Sequence, residues 1–338
     1  MDLSIIVPVY NVEQYVRTCI ESIYKQGLDE DRFEVLIVND GTKDRSMEVI
    51  QDIIAQHKNI VVINQENQGL SMARNNGMAK AKGQYILLTD SDDMLIDGSL
   101  KPLLDMALET EADLVVADFV KMNDQEIVRR RITSLQPATT DYTEIYGENI
   151  ILRKLDPKQC YVWHTLYRTD FLRENNIVFL QGLRYEDIPF THECYLKATK
   201  CLFIPILLYI YRTNRTGAIT ASFDIVKAKE YAMVISKTWE LTHLEGISQA
   251  VVRKIQDNLY DTFCNLIYKT VHSVKSPSEQ LQVLTTLIQA APDIFFTNSI
   301  RQRVESLFFR NAPSIYLLIR RFHWKWYFSA SKKTNKNK

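Results

Sequence analysis

Three aspartates within four residues are the strongest chemical feature of this sequence. The segment Asp90-Ser91-Asp92-Asp93 directly follows the strand-like run YILLT at residues 85–89. Carboxylates this close repel one another unless a cation lies among them. Mg²⁺ and Mn²⁺ take oxygen ligands and often bind through one or two carboxylates together with phosphate, so the cluster predicts a divalent metal carried by a diphosphate. A helix N-cap at Asp92 or Asp93 is the alternative, and the cluster alone leaves both open.

Two further side chains are candidates for contacts with a nucleotide. Asp40 ends the run of residues 35–39, where its carboxylate can accept hydrogen bonds from a base or a ribose. Arg74, within residues 67–77 (NQGLSMARNNG), is placed about one helical turn into a helix, within reach of a nucleotide. A turn with capping residues is the alternative for the segment after Asp40, and a surface salt bridge is the alternative for Arg74.

A second acidic pair occurs far from the aspartate cluster. Glu186-Asp187 follows Tyr185 and precedes the apolar and helix-starting residues 188–190. A carboxylate that is not engaged by a metal, in an apolar neighbourhood, suits a general base. The alternative is a capping acid in front of a helix over residues 189–200, with Pro189 in its first turn.

Short apolar runs alternate with helical spacing over the first 120 residues. Strands are predicted at Leu3–Val9, Val35–Asn39, Ile60–Asn64, Tyr85–Thr89 and Leu114–Val120. Helices are predicted at Val12–Lys25, Ser46–His57, Leu70–Ala81 and Leu100–Thr110. This alternation predicts an α/β fold, with a mostly parallel sheet flanked by helices and ligands at the carboxyl ends of its strands. Asp40 and the aspartate cluster fall at such strand ends.

The remainder of the chain is less regular. Residues 121–160 are predicted to be irregular, residues 163–222 to mix helix and strand, and residues 224–287 to be mostly helical. We therefore predict an α/β domain over residues 1–222 and a helical C-terminal extension over residues 223–338.

Composition narrows the class of protein. The 338 residues carry 41 basic and 41 acidic side chains and are 46% hydrophobic, typical of a globular protein. The five cysteines form no CxxC pair, so neither a disulfide framework nor a zinc site is indicated. The first residues read as a strand and not as a signal peptide, and the longest apolar stretch, residues 202–211, is too short to span a bilayer. A cytoplasmic protein is therefore expected.

Taken in order, several segments resemble the family-2 inverting glycosyltransferases of the GT-A fold. These segments are SIIVPVYNVEQYVRTCIESI, LIVNDGTKDRS, ENQGLSMARNNGMAKAKGQYILLTDSDD and YED. The resemblance covers roughly residues 3–220. It implies a GT-A, Rossmann-like domain, a nucleotide-sugar donor that is usually a UDP-sugar, and Mn²⁺ or Mg²⁺ on the donor diphosphate.

The resemblance also implies roles for individual residues. Donor nucleotide-binding positions of the family coincide with Pro8, Tyr10, Asp40, Arg74 and Asp90. The last acid of the DxD motif coincides with Asp92, which is expected on the metal, and the general base coincides with Asp187. Further contacts with the diphosphate or the acceptor are expected from Glu186, His164, Arg212 and Arg215.

The sequence departs from the family pattern in two places. Asn39 stands where a first acid is common, and residues 163–167 read Trp-His-Thr-Leu-Tyr in place of Trp-Asn-Lys-Leu-Tyr. A structural role is the alternative for His164. The QxxRW segment of processive synthases is absent, so transfer of a single sugar is expected.

The C-terminal end is strongly basic. Residues 301–338 hold ten basic side chains and one acid, mixed with Trp, Tyr and Phe, whereas residues 1–100 hold nine basic and sixteen acidic side chains. Basic and aromatic residues together suit an interfacial helix on an anionic membrane surface, here the cytoplasmic face of the inner membrane. A helix packed on the body of the protein is the alternative, and nucleic acid is not expected as a partner.

These observations predict an inverting glycosyltransferase that moves one sugar from a UDP-sugar to a glycan or lipid-linked glycan acceptor in bacterial-type surface polysaccharide assembly. Two alternatives remain open. A non-catalytic binding or scaffold protein would keep the fold without the chemistry. A sugar-nucleotide pyrophosphorylase would need a glycine-rich phosphate loop after the first strand, where PVYNVEQ contains no glycine.

Overall fold

A computed structural model describes residues 1–129, 141–156, 160–213 and 222–322. The described residues divide into two compact units. The first unit takes its residues from Met1–Arg153, Tyr161–Gly182 and Glu193–Thr216, and the second from Lys154–Cys160, Leu183–His192 and Gly217–Lys338. Arg215 and the aromatic, basic tail beyond residue 322 lie outside the described residues. The domain boundary at residue 222 stays a prediction.

Among the described residues, the first unit is built on one mixed sheet of nine strands. The strands are β1 (Leu3–Val9), β2 (Phe33–Asn39), β3 (Ile60–Asn64), β4 (Tyr85–Leu88), β5 (Met94–Leu95), β6 (Leu114–Met122), β7 (Thr143–Tyr146), β8 (Thr165–Arg168) and β9 (Lys200–Arg212). Their order is β3-β2-β1-β4-β8-β6-β9-β5, with β7 paired to β9. The predicted α/β class is confirmed, and five of these strands lie where the sequence pattern places them.

Parallel pairing covers the part of the sheet that carries the polar strand ends. Strands β1, β2, β3 and β4 pair in parallel, with Val9 opposite Asn39 and Asn39 opposite Asn64. Because β1, β2 and β3 end opposite one another, the residues that follow them lie at the same edge of the sheet. Strand β8 enters antiparallel between β4 and β6, a long-range pairing that the local sequence pattern does not reveal.

Helices cover this sheet. In the first unit they are α1 (Val16–Ile23), α2 (Gln51–Gln56), α3 (Leu70–Lys80), α4 (Leu100–Thr110), α5 (Asp124–Arg129), α6 (Asn149–Lys154, whose last residue belongs to the second unit) and α7 (Thr169–Glu174). Helix α3 lies directly on β1, since a Cβ at Gly77 would come within 2.4 Å of Cγ2 of Ile6. A glycine at this position therefore sets how closely α3, with Arg74 on it, approaches the sheet.

The expectation of irregular structure over residues 121–160 is wrong in part. Helices α5 and α6 and strand β7 lie within this range. Asn123 and Glu126 form a reciprocal capping box at α5, each side chain accepting a hydrogen bond from the backbone N–H of the other, at 2.9 and 3.0 Å. Strand β7 forms by pairing with β9, which is distant in sequence.

Helix α8 (Asp187–Lys197) begins in the second unit and ends in the first. The second unit further contains α9 (Ile225–Glu240), α10 (Gln249–Ser273), α11 (Pro277–Ala290), α12 (Ile300–Asn311) and a final helix over residues 313–322. Capping oxygens of Asp224, Ser248, Ser276 and Ser299 start α9 to α12. The predicted helical extension is confirmed. Within the described ranges, we find no helix with the length and apolarity needed to span a membrane.

Candidate active site

The polar edge of the sheet begins after β1. Pro8 is buried near the end of β1, two positions past Ile6, the last residue of β1 that pairs with β4. A proline, which has no N–H to donate, is tolerated at this position because the pairing of β1 with β4 has already ended. Tyr10 follows at 41% exposure, and Asn11 adopts a left-handed conformation with φ of 54°. The Tyr10 ring is therefore available to a ligand at this edge.

The three aspartates converge after β4. One carboxylate oxygen from each of Asp90, Asp92 and Asp93 lies within 4.8 Å of the others. Asp93 is 2% exposed, and burial, followed by the charges of Asp92 and Asp90, raises the pKa of Asp93 to about 9. The capping alternative is wrong, because β5 follows the cluster and the N-cap of α4 is Ser99. Three hard oxygen donors at this spacing fit Mg²⁺ or Mn²⁺.

Asp90 is held by a buried cation. The guanidinium Nη2 of Arg74 lies 2.7 Å from Oδ1 of Asp90, and Arg74 is 1% exposed. Its guanidinium carbon lies 5.0 Å from the ring centroid of Phe179, a cation–π contact. The backbone N–H of Asp90 donates to the hydroxyl of Tyr209 at 3.0 Å. The surface salt bridge considered for Arg74 is therefore wrong. Arg74 forms a buried salt bridge that fixes Asp90, the first acid of the cluster.

Arg212 holds the other side of the same loop. Its backbone N–H donates to Oδ1 of Asp93 at 2.7 Å, and its Nε donates to the carbonyl oxygen of Asp92 at 2.8 Å. The guanidinium also pairs with Asp124 and lies 4.9 Å from the ring centroid of Tyr15. These contacts make Arg212 a support of the aspartate loop. Its contact with a diphosphate stays a prediction.

Asp40 is buried and its carboxylate already accepts several hydrogen bonds. Oδ1 accepts from the side chain of Gln65 and the N–H of Gln68, both at 2.8 Å. Oδ2 accepts from the N–H of Gly69 at 3.0 Å and from the side chain of Asn67 at 3.3 Å. Asp40 therefore anchors the loop of residues 65–69 in front of α3. A direct contact with the nucleotide stays a prediction.

His164 lies in an aromatic cluster of the first unit. Its ring centroid is 5.4 Å from Trp163 and 5.6 Å from Phe119, and burial lowers the pKa of His164 to about 4. Trp163 in turn stacks on Tyr209 at 4.2 Å, the residue whose hydroxyl bonds to Asp90. The buried imidazole of His164, which is neutral at pH 7, fits the alternative of a structural role. Its contact with an acceptor stays a prediction.

Glu186 and Asp187 belong to the second unit. Glu186 is buried, and Asp187 is the first residue of α8. The preceding Tyr185 adopts a φ of 66°, a conformation that side-chain-bearing residues rarely take. The structure thus brings together Asp90, Asp92, Arg74 and Arg212 within the first unit. Asp187 belongs to the second unit.

Sequence reasoning missed two residues that support the aspartate cluster, although Asp93 itself belonged to the predicted acidic triplet. Tyr209 lies within an apolar run, and Asp124 follows β6. Tyr209 contacts Asp90, and Asp124 contacts Arg212, each across more than eighty residues of sequence. Pairing between distant strands creates these contacts, and no local pattern encodes it.

The fold and the site together define an α/β protein with a metal-competent carboxylate cluster at the carboxyl ends of parallel strands. The family model for glycosyl transferase family 2 matches residues 4–174, about half of the chain, and the chain belongs to this family. The GT-A fold expected from the sequence is confirmed. S. aureus TarS 1–349 in complex with UDP-GlcNAc superposes with a TM-score of 0.74 at 20% identity, covering 96% of this chain and 92% of that one.

Two relatives mark the extent of the sequence similarity. The chain is 33% identical over 220 residues to the uncharacterized glycosyltransferase EpsJ of Bacillus subtilis, covering 63% of this chain and 61% of EpsJ. It is 27% identical over 268 residues to the glycosyltransferase GlyG of Streptococcus pneumoniae, covering 74% of this chain and 84% of GlyG. The match to EpsJ therefore spans less than two thirds of that relative.

Proposed function

We propose that this protein is an inverting glycosyltransferase that moves one sugar from a UDP-sugar to a glycan or lipid-linked glycan acceptor in surface polysaccharide assembly. The observation that carries the proposal is the convergence of Asp90, Asp92 and Asp93 within 4.8 Å at the carboxyl ends of parallel strands. This position is where open α/β sheets bind nucleotides. The carboxylates suit a diphosphate that arrives with its metal.

The relatives support the choice of donor and acceptor class. TarS is described in complex with UDP-GlcNAc, and a Bacillus spizizenii relative at 28% identity is named a poly(ribitol-phosphate) beta-glucosyltransferase. A mannosyltransferase from Pyrobaculum calidifontis, with a TM-score of 0.52, is described with GDP-Man and Mn²⁺. These names favour a nucleotide-sugar donor and a surface-polymer acceptor for the present protein.

The roles of the residues follow from their chemistry. Asp92 and Asp93, with Asp90, would hold a Mg²⁺ or Mn²⁺ ion, which when bound neutralises charge on the donor diphosphate. Tyr10, exposed after the end of β1, would contact the base. Asp40 would keep the loop of residues 65–69 in place, and Arg74 would do the same for Asp90.

Asp187 is proposed as the general base. It accepts the proton of the acceptor hydroxyl while that oxygen forms a bond to the anomeric carbon. On the opposite face, the bond from the anomeric carbon to the phosphate oxygen breaks, and UDP leaves with the electron pair. Attack opposite the leaving group inverts the anomeric configuration.

A screen of UDP-sugars tests this proposal. Water serves as the simplest acceptor, so we expect release of UDP from one of UDP-glucose, UDP-galactose, UDP-GlcNAc or UDP-GalNAc in the presence of Mn²⁺, suppressed by EDTA. The preferred donor then serves for acceptor screening. If none of the four releases UDP above the rate without protein, the proposed donor class is wrong.

Membrane association through the C-terminal region is a further part of the proposal. The final helix presents two faces: Tyr316, Leu317 and Arg320 are buried, whereas an apolar stripe is about half exposed. The stripe consists of Ile315, Leu318, Ile319 and Phe322, at the i, i+3, i+4 and i+7 spacing of one helix face. The packed-helix alternative fits the buried face of this helix. We propose that the exposed stripe, together with the basic residues that follow it in the sequence, contacts an anionic membrane surface.

Vesicle sedimentation tests this part. We expect the full chain to co-sediment with vesicles of phosphatidylglycerol and phosphatidylcholine, and the double variant Leu318→Gln/Phe322→Gln to lose most of this binding. Val226→Gln, which changes an exposed apolar residue on α9, is the matched control. Equal sedimentation of all three proteins would reject the stripe as a membrane contact.

A further inference from the structure

Tyr185, the residue directly before Glu186-Asp187, has an unusual backbone conformation. Its φ of 66° lies in the left-handed region, shared among the described non-glycine residues with Asn11, Glu111 and Asn176. Tyr185 is the aromatic member of this set. Bulky side chains persist there only when surrounding contacts hold them, and such positions concentrate at functional sites.

Helix α9 supplies two of these contacts through consecutive residues. Glu230 binds Arg184, with 2.8 Å between Nε and Oε2 and 3.1 Å between Nη2 and Oε1, and it also accepts from the backbone N–H of Arg184 at 3.2 Å. Tyr231 stacks on the ring of Tyr185, with centroids 4.4 Å apart and planes 24° apart. Residues 184 and 185 are therefore both fastened to α9.

Helix α10 supplies a cation to the same stack. The ammonium nitrogen of Lys269 lies 5.6 Å from the ring centroid of Tyr185, 5.8 Å from that of Tyr231 and 5.4 Å from that of Phe223. Lys269 forms no ion pair with any residue in the described part of the chain. It is half-buried, and burial lowers its pKa. Three rings around one partly desolvated ammonium form a cation–π cage, in which each attraction is stronger than at an exposed site.

We propose that Lys269 is a positioning residue for Asp187. It holds the ring of Tyr185 against Tyr231, and this fixes the left-handed backbone from which α8 starts. The carbonyl oxygen of Tyr185 accepts from the N–H of Ile188 at 3.2 Å, which links the clamped residue to the first turn of α8. This inference rests on the proposed function, because it presumes that Asp187 is the base.

Two substitutions at Lys269 test the proposal by Mn²⁺-dependent UDP release from the UDP-sugar that the wild type hydrolyses fastest. Lys269→Met keeps the apolar stem and removes the charge, so kcat is expected to fall about tenfold while KM for the donor stays within twofold. Lys269→Arg keeps a cation that stacks on aromatic rings and is expected to recover most of kcat. Lys237→Met, a lysine of α9 paired with Glu240, is the matched control and keeps wild-type kcat.

Asp187→Asn, measured alongside, separates the two proposals. If Asp187→Asn keeps wild-type kcat, Asp187 is not the base, and the positioning role of Lys269 is rejected as well. If Asp187→Asn is inactive while Lys269→Met matches Lys237→Met, the base stands and the positioning role of Lys269 is rejected. A loss of kcat in Lys269→Met that Lys269→Arg does not recover also rejects it.

Glu230→Gln provides an independent variant in case Lys269→Met does not fold. It keeps the size of the side chain and weakens the hold on Arg184, so we expect lower kcat with donor KM again within twofold. Wild-type kcat in Glu230→Gln would show that the contacts of α9 with residues 184 and 185 do not position Asp187.

Discussion

At the scale of single residues, Asp92 is the side chain whose role is most open to direct measurement. Asp92→Asn removes one charge from the cluster of Asp90, Asp92 and Asp93, so we expect the affinity for UDP in the presence of Mn²⁺ to fall at least tenfold, about 1.4 kcal/mol. Affinity without metal should not change. Isothermal titration calorimetry with UDP, with and without Mn²⁺, measures both quantities.

Asp97→Asn is the control for this prediction, because Asp97 follows the cluster in sequence but is not one of the three converging carboxylates. A gain in UDP affinity on adding Mn²⁺ that is the same in Asp92→Asn as in the wild type would remove Asp92 from the metal site.

The types of the site residues could be predicted from sequence, but their partners could not. Asp90 and Asp92 were recognisable from the acidic triplet after a strand. Arg74 was expected to face a ligand, yet it lies 1% exposed beneath Asp90. Whether an arginine faces solvent or a buried carboxylate depends on how α3 packs on β1, and that packing involves residues distant in sequence.

At the scale of secondary-structure elements, the loop of residues 65–69 depends on one carboxylate. Asp40→Asn replaces an acceptor of four donors by an amide that can accept at one oxygen only. Because charge-assisted bonds in a buried site are lost, we expect the free energy of unfolding to fall by about 2 kcal/mol. Urea denaturation followed by circular dichroism measures this loss.

Asp31→Asn, at an exposed position before β2, is the matched control and should unfold at the wild-type urea concentration. If Asp40→Asn and Asp31→Asn unfold at the same urea concentration, Asp40 does not anchor the loop.

Element positions followed the sequence closely where apolar periodicity was strong. Strands β1 and β3 and helix α4 have the predicted limits, because each is bounded by polar or capping residues. Strand β7 was missed because its burial pattern shows one buried residue, Ile145, and its pairing with β9 is what makes it a strand. Local propensity is a weak guide for such edge segments.

At the scale of the whole molecule, two buried histidines make stability depend on pH. Burial lowers the pKa of His164 and of His192 to about 4, from an ordinary value of 6.5. Below pH 6.5 the unfolded chain binds protons that the folded chain does not. The contribution of these two histidines to the free energy of unfolding should therefore fall as the pH drops from about 6.5 to 4, by at most about 1.4 kcal/mol per pH unit for each. Asp93, whose pKa is raised to about 9, contributes in the opposite direction over this range, so the comparison of variants isolates the contribution of the histidine.

His164→Gln should reduce this dependence, since glutamine does not titrate. Urea denaturation at pH 6.5 and pH 4.5 is the measurement, and His243→Gln, which changes a half-exposed histidine, is the control. A loss of stability between the two pH values that is identical in His164→Gln and the wild type would show that His164 does not contribute.

Base-catalysed sugar transfer is the central proposal for this protein. Its most direct test is Asp187→Asn with the preferred UDP-sugar, Mn²⁺ and a glycan acceptor. General-base catalysis contributes about 10²–10⁴-fold to rate, so kcat for transfer should fall at least about a hundredfold, with the affinity for UDP within twofold of the wild type. Transfer at the wild-type rate by Asp187→Asn would contradict the proposed general-base mechanism and favour a binding or scaffold role.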